Sequence, residues 1–216
     1  MNSRPTRDRG KRPGSLSTCR ATILGLGGIG RQLALQLAAL GVTRLQLVDP
    51  RTVGRRTHAV EGYAYEDIGH PKIFAAAHLC HQLNPQLEIL AQHQRSIRDL
   101  DLGDTVFCCP GTSRVWLRLG QMIGDQDTFL ARCRVIGPIV HVDVACDASS
   151  WAAMRARTQS KTPSRSGRPA HVPPYAAAIA AGLAVAEFVK YGAGQRPACS
   201  IRLDLQDLKL RAKKSA

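Results

Sequence analysis

Apolar and polar positions alternate along this chain in blocks that change period abruptly. Ala21-Thr22-Ile23-Leu24 is a short apolar run ending at Gly25, with the pattern of a buried strand. Ile29, Leu33, Leu37 and Leu40 then recur at helical spacing, and Gly41 stands where a helix cap belongs. Arg44 to Asp49 is a second strand, stopped by Pro50. Strand, turn, helix and strand within about thirty residues predict a parallel pair joined by a crossover helix. Arg51 to Pro71 reads as a long irregular connection, Lys72 to Leu83 as a second helix closed by Asn84-Pro85, and Leu87 to Ala91 as a third strand. Thr105 to Cys109 is a fourth strand, ended by Pro110-Gly111, and Val115 to Ile123 is helical. Val135 to Ala145 reads as one further strand. Pro, Ser, Arg and Gly give residues 151–173 the composition of a mobile loop. Pro174 to Tyr191 is an Ala-rich helix, and Cys199 to Leu205 a last strand.

This alternation predicts an α/β fold: a doubly wound, mainly parallel sheet with helices on both faces. The expected organisation is a basic disordered arm over 1–18, one nucleotide-binding domain over 19–208, and a basic tail over 209–216. The net charge of +14 changes the picture little, because much of it lies in the arm, in Arg155 to Arg168, and in the tail. Such segments can hold nucleic acid or another polyanion, but no aromatic side chain interleaves to stack on bases. Nucleic acid is therefore not the expected partner. The longest apolar stretch, Ala176 to Val189, is too short for a bilayer and carries Glu187. The N-terminus lacks the apolar segment of a signal peptide, so a cytoplasmic location with no membrane partner is expected. The seven cysteines include no Cys-x-x-Cys pair, which argues against zinc.

Candidate chemistry centres on Gly25-Leu26-Gly27-Gly28-Ile29-Gly30. One glycine permits a tight turn, one admits a phosphate close to backbone, and one lets helix and strand pack closely. The helix that follows points its free N–H groups at the phosphate. Asp49 closes the next strand, where a carboxylate can accept from a ribose hydroxyl. Together these features describe a Rossmann-like nucleotide site.

The doubled Gly27-Gly28, the phrase Leu37-Ala38-Ala39-Leu40-Gly41-Val42, and Leu45-x-Leu47-Val48-Asp49 with Val53 beyond resemble the ThiF/MoeB/HesA family of ubiquitin-activating-enzyme-like adenylyltransferases. Asp67-Ile68-Gly69-His70-Pro71-Lys72 is similar to that family's segment around its nucleotide-contacting lysine, and Asn84-Pro85 fits as well. The resemblance is dense from Ala21 to Pro85 and returns at Pro174. It implies ATP binding, with Mg2+ bridging the phosphates, and adenylation of a C-terminal carboxylate on a ubiquitin-like or peptide carrier protein. By position, Gly25, Gly27, Gly28 and Gly30 would line the phosphates, Asp49 would hold the ribose, and Lys72 would contact the phosphates. Relatives commonly dimerise, so a homodimer is one expected arrangement.

The chain also departs from the family pattern. After the second strand the family places an Asn and an Arg that reach ATP; here Arg56-Thr57-His58-Ala59-Val60-Glu61 stands instead, leaving Arg55 and Arg56 as catalytic candidates from a shifted loop. Cys108-Cys109-Pro110-Gly111 replaces the segment bearing the family's magnesium-binding Asp, with Asp143 and Asp147 as candidate substitutes. Cys146 is a weak candidate acceptor thiol, better read as a structural cysteine at a strand end. His78 and His81 have metal spacing on a helix but no acidic partner, and read as ordinary half-exposed histidines. Two alternatives stay open: a catalytically degenerate subunit that binds a nucleotide or a partner, and, third, an NAD-dependent oxidoreductase, for which no Tyr-x-x-x-Lys pair is present.

Overall fold

The computed structural model describes residues 18–109, 113–123, 128–159 and 171–214. The arm up to residue 17 and the centre of the Arg-rich segment, 160–170, lie outside them. Strand β1 (Arg20–Leu24) leads through the glycine turn into α1 (Gly28–Ala39) and then β2 (Arg44–Val48). A one-turn helix, α2 (His58–Glu61), lies in the long connection to α3 (Lys72–Leu83). β3 (Glu88–Gln92), β4 (Thr105–Cys108) and α4 (Ser113–Ile123) follow. Next come β5 (Phe129–Ile136), β6 (Ile139–Ala145), α5 (Ala148–Gln159), α6 (Pro174–Gly192), β7 (Ala198–Asp204) and β8 (Lys209–Lys214).

The strands form one eight-stranded sheet in the order β3-β2-β1-β4-β5-β6-β7-β8. β3, β2, β1, β4 and β5 are parallel, and β6, β7 and β8 continue antiparallel. One face packs its apolar side chains (Ile23, Leu47, Phe107, Phe129, Val142) against α1, α3 and α6. The other (Leu24, Val106, Leu130, Ala145) packs against Trp116 and Leu119 of α4 and Trp151 and Met154 of α5. This is the doubly wound α/β architecture that the alternation implies. The order reverses at β1, with β2 on one side and β4 on the other, so a crevice opens beyond the carboxyl ends of these strands.

Three elements differ from the sequence reading. The single strand expected over Val135 to Ala145 is a hairpin, β5 and β6, because Gly137-Pro138 forms its turn with Gly137 in the left-handed region (φ +57°). The start of the expected loop 151–173 belongs to a helix. The Asp147 carboxylate accepts the Ser150 amide at 2.7 Å and so caps α5, while Trp151 and Met154 bury on the sheet. The expected tail from residue 209 is strand β8 through Lys214, an edge strand whose charged side chains suit a position open to solvent. Glu187, expected to interrupt an apolar stretch, is buried in α6 and accepts the Ala198 amide at 2.7 Å and the Lys190 ammonium at 2.7 Å.

Candidate nucleotide site

The floor of the site is backbone. Gly25 has φ +85°, which a side chain would strain, and its amide donates to the Val48 carbonyl, tying the turn to β2. A Cβ on Gly30 would collide with the Gly25 carbonyl oxygen, so the entry of α1 can lie this close to β1 only with glycine there. A Cβ on Gly28 would meet the Ala177 methyl at 3.3 Å, where α6 presses on α1. Helix α1 starts at Gly28 with no side chain capping it, which leaves its first amides directed at the crevice.

The wall is the connection from Arg51 to Pro71, which doubles back on itself. Thr52 bridges to Pro71 and Val53 to Ile68, the Val53 amide donates to His70, and the Lys72 amide donates to the Arg51 carbonyl at 3.0 Å. This folding brings Lys72, the first residue of α3, back beside the end of β2. Tyr63 pins the connection to the turn, its buried hydroxyl donating to the Leu26 carbonyl at 2.8 Å.

Four charged side chains face one another here as two pairs. Asp49 is fully buried, and its carboxylate accepts from the Leu26 amide at 2.7 Å, the Arg51 amide at 2.8 Å, and the Arg51 guanidinium at 3.0 and 2.8 Å. Burial alone would raise the Asp49 pKa. The hydrogen bonds and charge of Arg51, with the Leu26 amide, outweigh burial and hold it below the ordinary 3.8. Lys72 is 3% exposed and donates to Glu61 Oε2 at 2.6 Å, and the Thr57 hydroxyl also approaches that oxygen at 3.3 Å. The other Glu61 oxygen lies 3.5 Å from where a Cβ on Gly27 would stand, so this carboxylate roofs the glycine turn. A guanidinium nitrogen of Arg51 is 4.0 Å from the same point.

The ThiF family model matches residues 10–108, the span from the arm through β4. Over that span, a little under half of its length, the chain matches the ThiF family. It is 35% identical over 81 residues to a maize (Zea mays) adenylyltransferase and sulfurtransferase, MOCS3-1; the match covers 36% of this chain and 17% of that protein. Escherichia coli MccB solved with ATP superposes with TM-score 0.76 at 13% identity, over 92% of this chain and 64% of MccB. MccB with AMPCPP and MccA gives 0.76 at 14% identity over the same shares. PaaA gives 0.74 at 18% identity, over 92% of this chain and 73% of PaaA. At these identities the solved structures establish the shared fold.

The structure gathers the glycines, Asp49 and Lys72 of the ThiF pattern at one edge of the sheet and leaves the remaining candidates elsewhere. Arg55 and Arg56 are exposed before α2, and among the described residues neither side chain has an ion-pair partner. Asp143 is engaged by Arg134 at 2.9 Å and Ser200 at 2.9 Å, and Asp147 caps α5. Asp49 and Glu61 are likewise held by cations. The Cys146 amide donates to the Ser150 hydroxyl at 3.0 Å, and its thiol lies 3.9 Å from Asp147, so the residue sits inside the α5 cap. His81 Nε2 is 2.9 Å from the Leu87 carbonyl and His78 meets Gln82 at 3.1 Å, so the two histidines have separate local partners. At the end of β4, burial pushes the Cys108 thiol up to about 12. Cys109 is raised by its hydrogen bond with Cys133 and then by burial, so both thiols are held protonated. Among the described residues no group of three or more His, Cys, Asp or Glu could hold a metal, and no helix is long and apolar enough to cross a membrane.

Sequence reasoning assigned no role to Arg51 or Glu61. The available signal was charge: Glu61 falls in the stretch where the family carries its phosphate-directed Arg.

Proposed function

We propose that this chain binds ATP at the Gly25–Gly30 turn and is an adenylyltransferase-type protein whose substrate is the C-terminal carboxylate of a peptide or ubiquitin-like carrier. The observation that carries this is convergence. Four glycines, a strand-end carboxylate and a buried lysine from separate elements meet at the carboxyl edge of β1 and β2. MccB solved with ATP and with MccA supports the nucleotide, and the maize adenylyltransferase supports the reaction class. The chain spans only 64% of MccB and 17% of the maize protein, so the carrier rests on chemistry alone. In such a reaction a carboxylate oxygen attacks the α-phosphorus and pyrophosphate leaves. The glycine amides and Lys72 would hold the phosphates, and charge stabilisation there lowers the barrier.

A second reading, a catalytically degenerate subunit that keeps the nucleotide or partner site, is favoured by the engaged state of Asp49 and Lys72 and by the cysteines at the end of β4. The NAD-dependent reading finds little support, because the one tyrosine at the turn, Tyr63, is buried with its hydroxyl committed to Leu26. Calorimetric titration of ATP and NAD, followed by ATP–pyrophosphate exchange with candidate carrier peptides, separates the three. ATP binding with exchange supports the first reading, ATP binding without exchange the second, and NAD binding in place of ATP overturns both.

A further inference from the structure

Glu61 is an acid where the proposed site needs to attract phosphate. Its carboxylate occupies Lys72 at 2.6 Å and lies over Gly27, the glycine whose missing side chain gives backbone access. Its neighbour Arg51 is similarly committed to Asp49 at 2.8 Å. The four side chains thus carry two positive and two negative charges, which balance one another. A triphosphate entering against α1 would meet a carboxylate first and would reach Lys72 only after displacing it. Glu61 is placed to be displaced. It is the last residue of the one-turn helix α2, is followed by Gly62 in the left-handed conformation (φ +83°), and is more exposed than its partner, 16% against 3%.

We propose that Glu61 is an internal stand-in for phosphate: a specificity-determining residue that holds Lys72 when no nucleotide is bound and keeps ATP affinity low by competing for that lysine. The inference rests on the ATP-binding reading. Competition of this kind acts on the charged phosphates and leaves the nucleoside untouched. Removing the carboxylate therefore strengthens binding of ATP and of inorganic pyrophosphate, but not of adenosine. The gain shrinks as salt rises, because it is electrostatic.

The experiment is calorimetry of ATP, pyrophosphate and adenosine with the full chain and with Glu61→Gln, at low and high salt. Glu61→Ala runs in parallel because a glutamine can still accept from Lys72, and thermal melts confirm that each variant is folded. The expected result is ATP at least about tenfold tighter in the variants, pyrophosphate tighter in step, and adenosine unchanged. Equal ATP affinity in wild type and variants would overturn the role of Glu61 and leave the nucleotide reading standing. A parallel gain for adenosine would also overturn it, because the substitution would then be opening the pocket and not removing a charge. If neither ATP nor adenosine binds any form, the nucleotide reading fails together with the inference.

Discussion

The floor and the wall of the crevice obey different rules. The floor, Gly25 to Gly30, is fixed by backbone sterics: a left-handed glycine and a position with no room for a Cβ. The wall, Arg51 to Lys72, is fixed by side-chain charge, with Arg51 paired to Asp49 and Lys72 paired to Glu61. The floor carries the glycines that the ThiF resemblance expects, whereas the wall sets an arginine beside the strand-end aspartate and a glutamate beside the lysine. The difference teaches that the shape of such a turn is held by packing that folding itself needs, while the charge above it is held by pairs of side chains.

The sharpest way to break the comparison is at the floor. Gly30→Val should destabilise the protein by about 3 kcal/mol or more, since the new side chain must push the Gly25 carbonyl and with it β1 from α1. A urea titration measures this, and a loss under 1 kcal/mol would mean the turn is not sterically fixed.

At the wall the effects are smaller. Lys72→Ala leaves the Glu61 carboxylate beside the turn without its cation, which should cost about 1–3 kcal/mol; partial exposure of Glu61 keeps it below the value for a fully buried pair. Adding Glu61→Ala in the same chain should recover part of that loss, and full additivity would show that the two residues do not interact.

Acid tests the other pair. The Asp49 carboxyl is depressed in the folded state, so its contribution is fully present above the ordinary 3.8 and is lost as pH falls through the lower folded value. Wild-type stability should therefore decline below about pH 4 more steeply than that of Arg51→Met, in which the depression is relieved. Parallel profiles would remove Arg51 as the cause.

The smallest change is expected at Arg55 and Arg56. Alanine at either exposed position should move stability by no more than about 0.5 kcal/mol and leave ATP affinity within threefold or so. A larger loss of affinity would restore them as phosphate-directed residues.

The legible parts of this chain are those where the physics is local. The β1–turn–α1–β2 unit shows in its period, its glycines and its caps, and the strand-end Asp49 follows from them. The Glu61–Lys72 pair is hidden because the two residues meet only after an irregular loop doubles back through the Thr52–Pro71 and Val53–Ile68 bridges. Helix α5 is masked because Trp151 and Met154, the large apolar side chains it buries, stand among alanines, serines and arginines in the sequence. The β5–β6 hairpin is masked because Arg132 and Arg134 interrupt the apolar run of β5. Arg132 stacks over the Trp116 ring at 4.5 Å, so a charge sits where an apolar residue would signal a strand.

The most direct test of the central claim is to locate ATP on the folded chain by amide NMR. The account predicts chemical-shift changes concentrated at Leu26 to Gly30, Glu61 and Lys72, with the β7–β8 edge unmoved. Changes confined to the basic edge strand, or spread without focus, would contradict it and make the glycine turn a structural feature only.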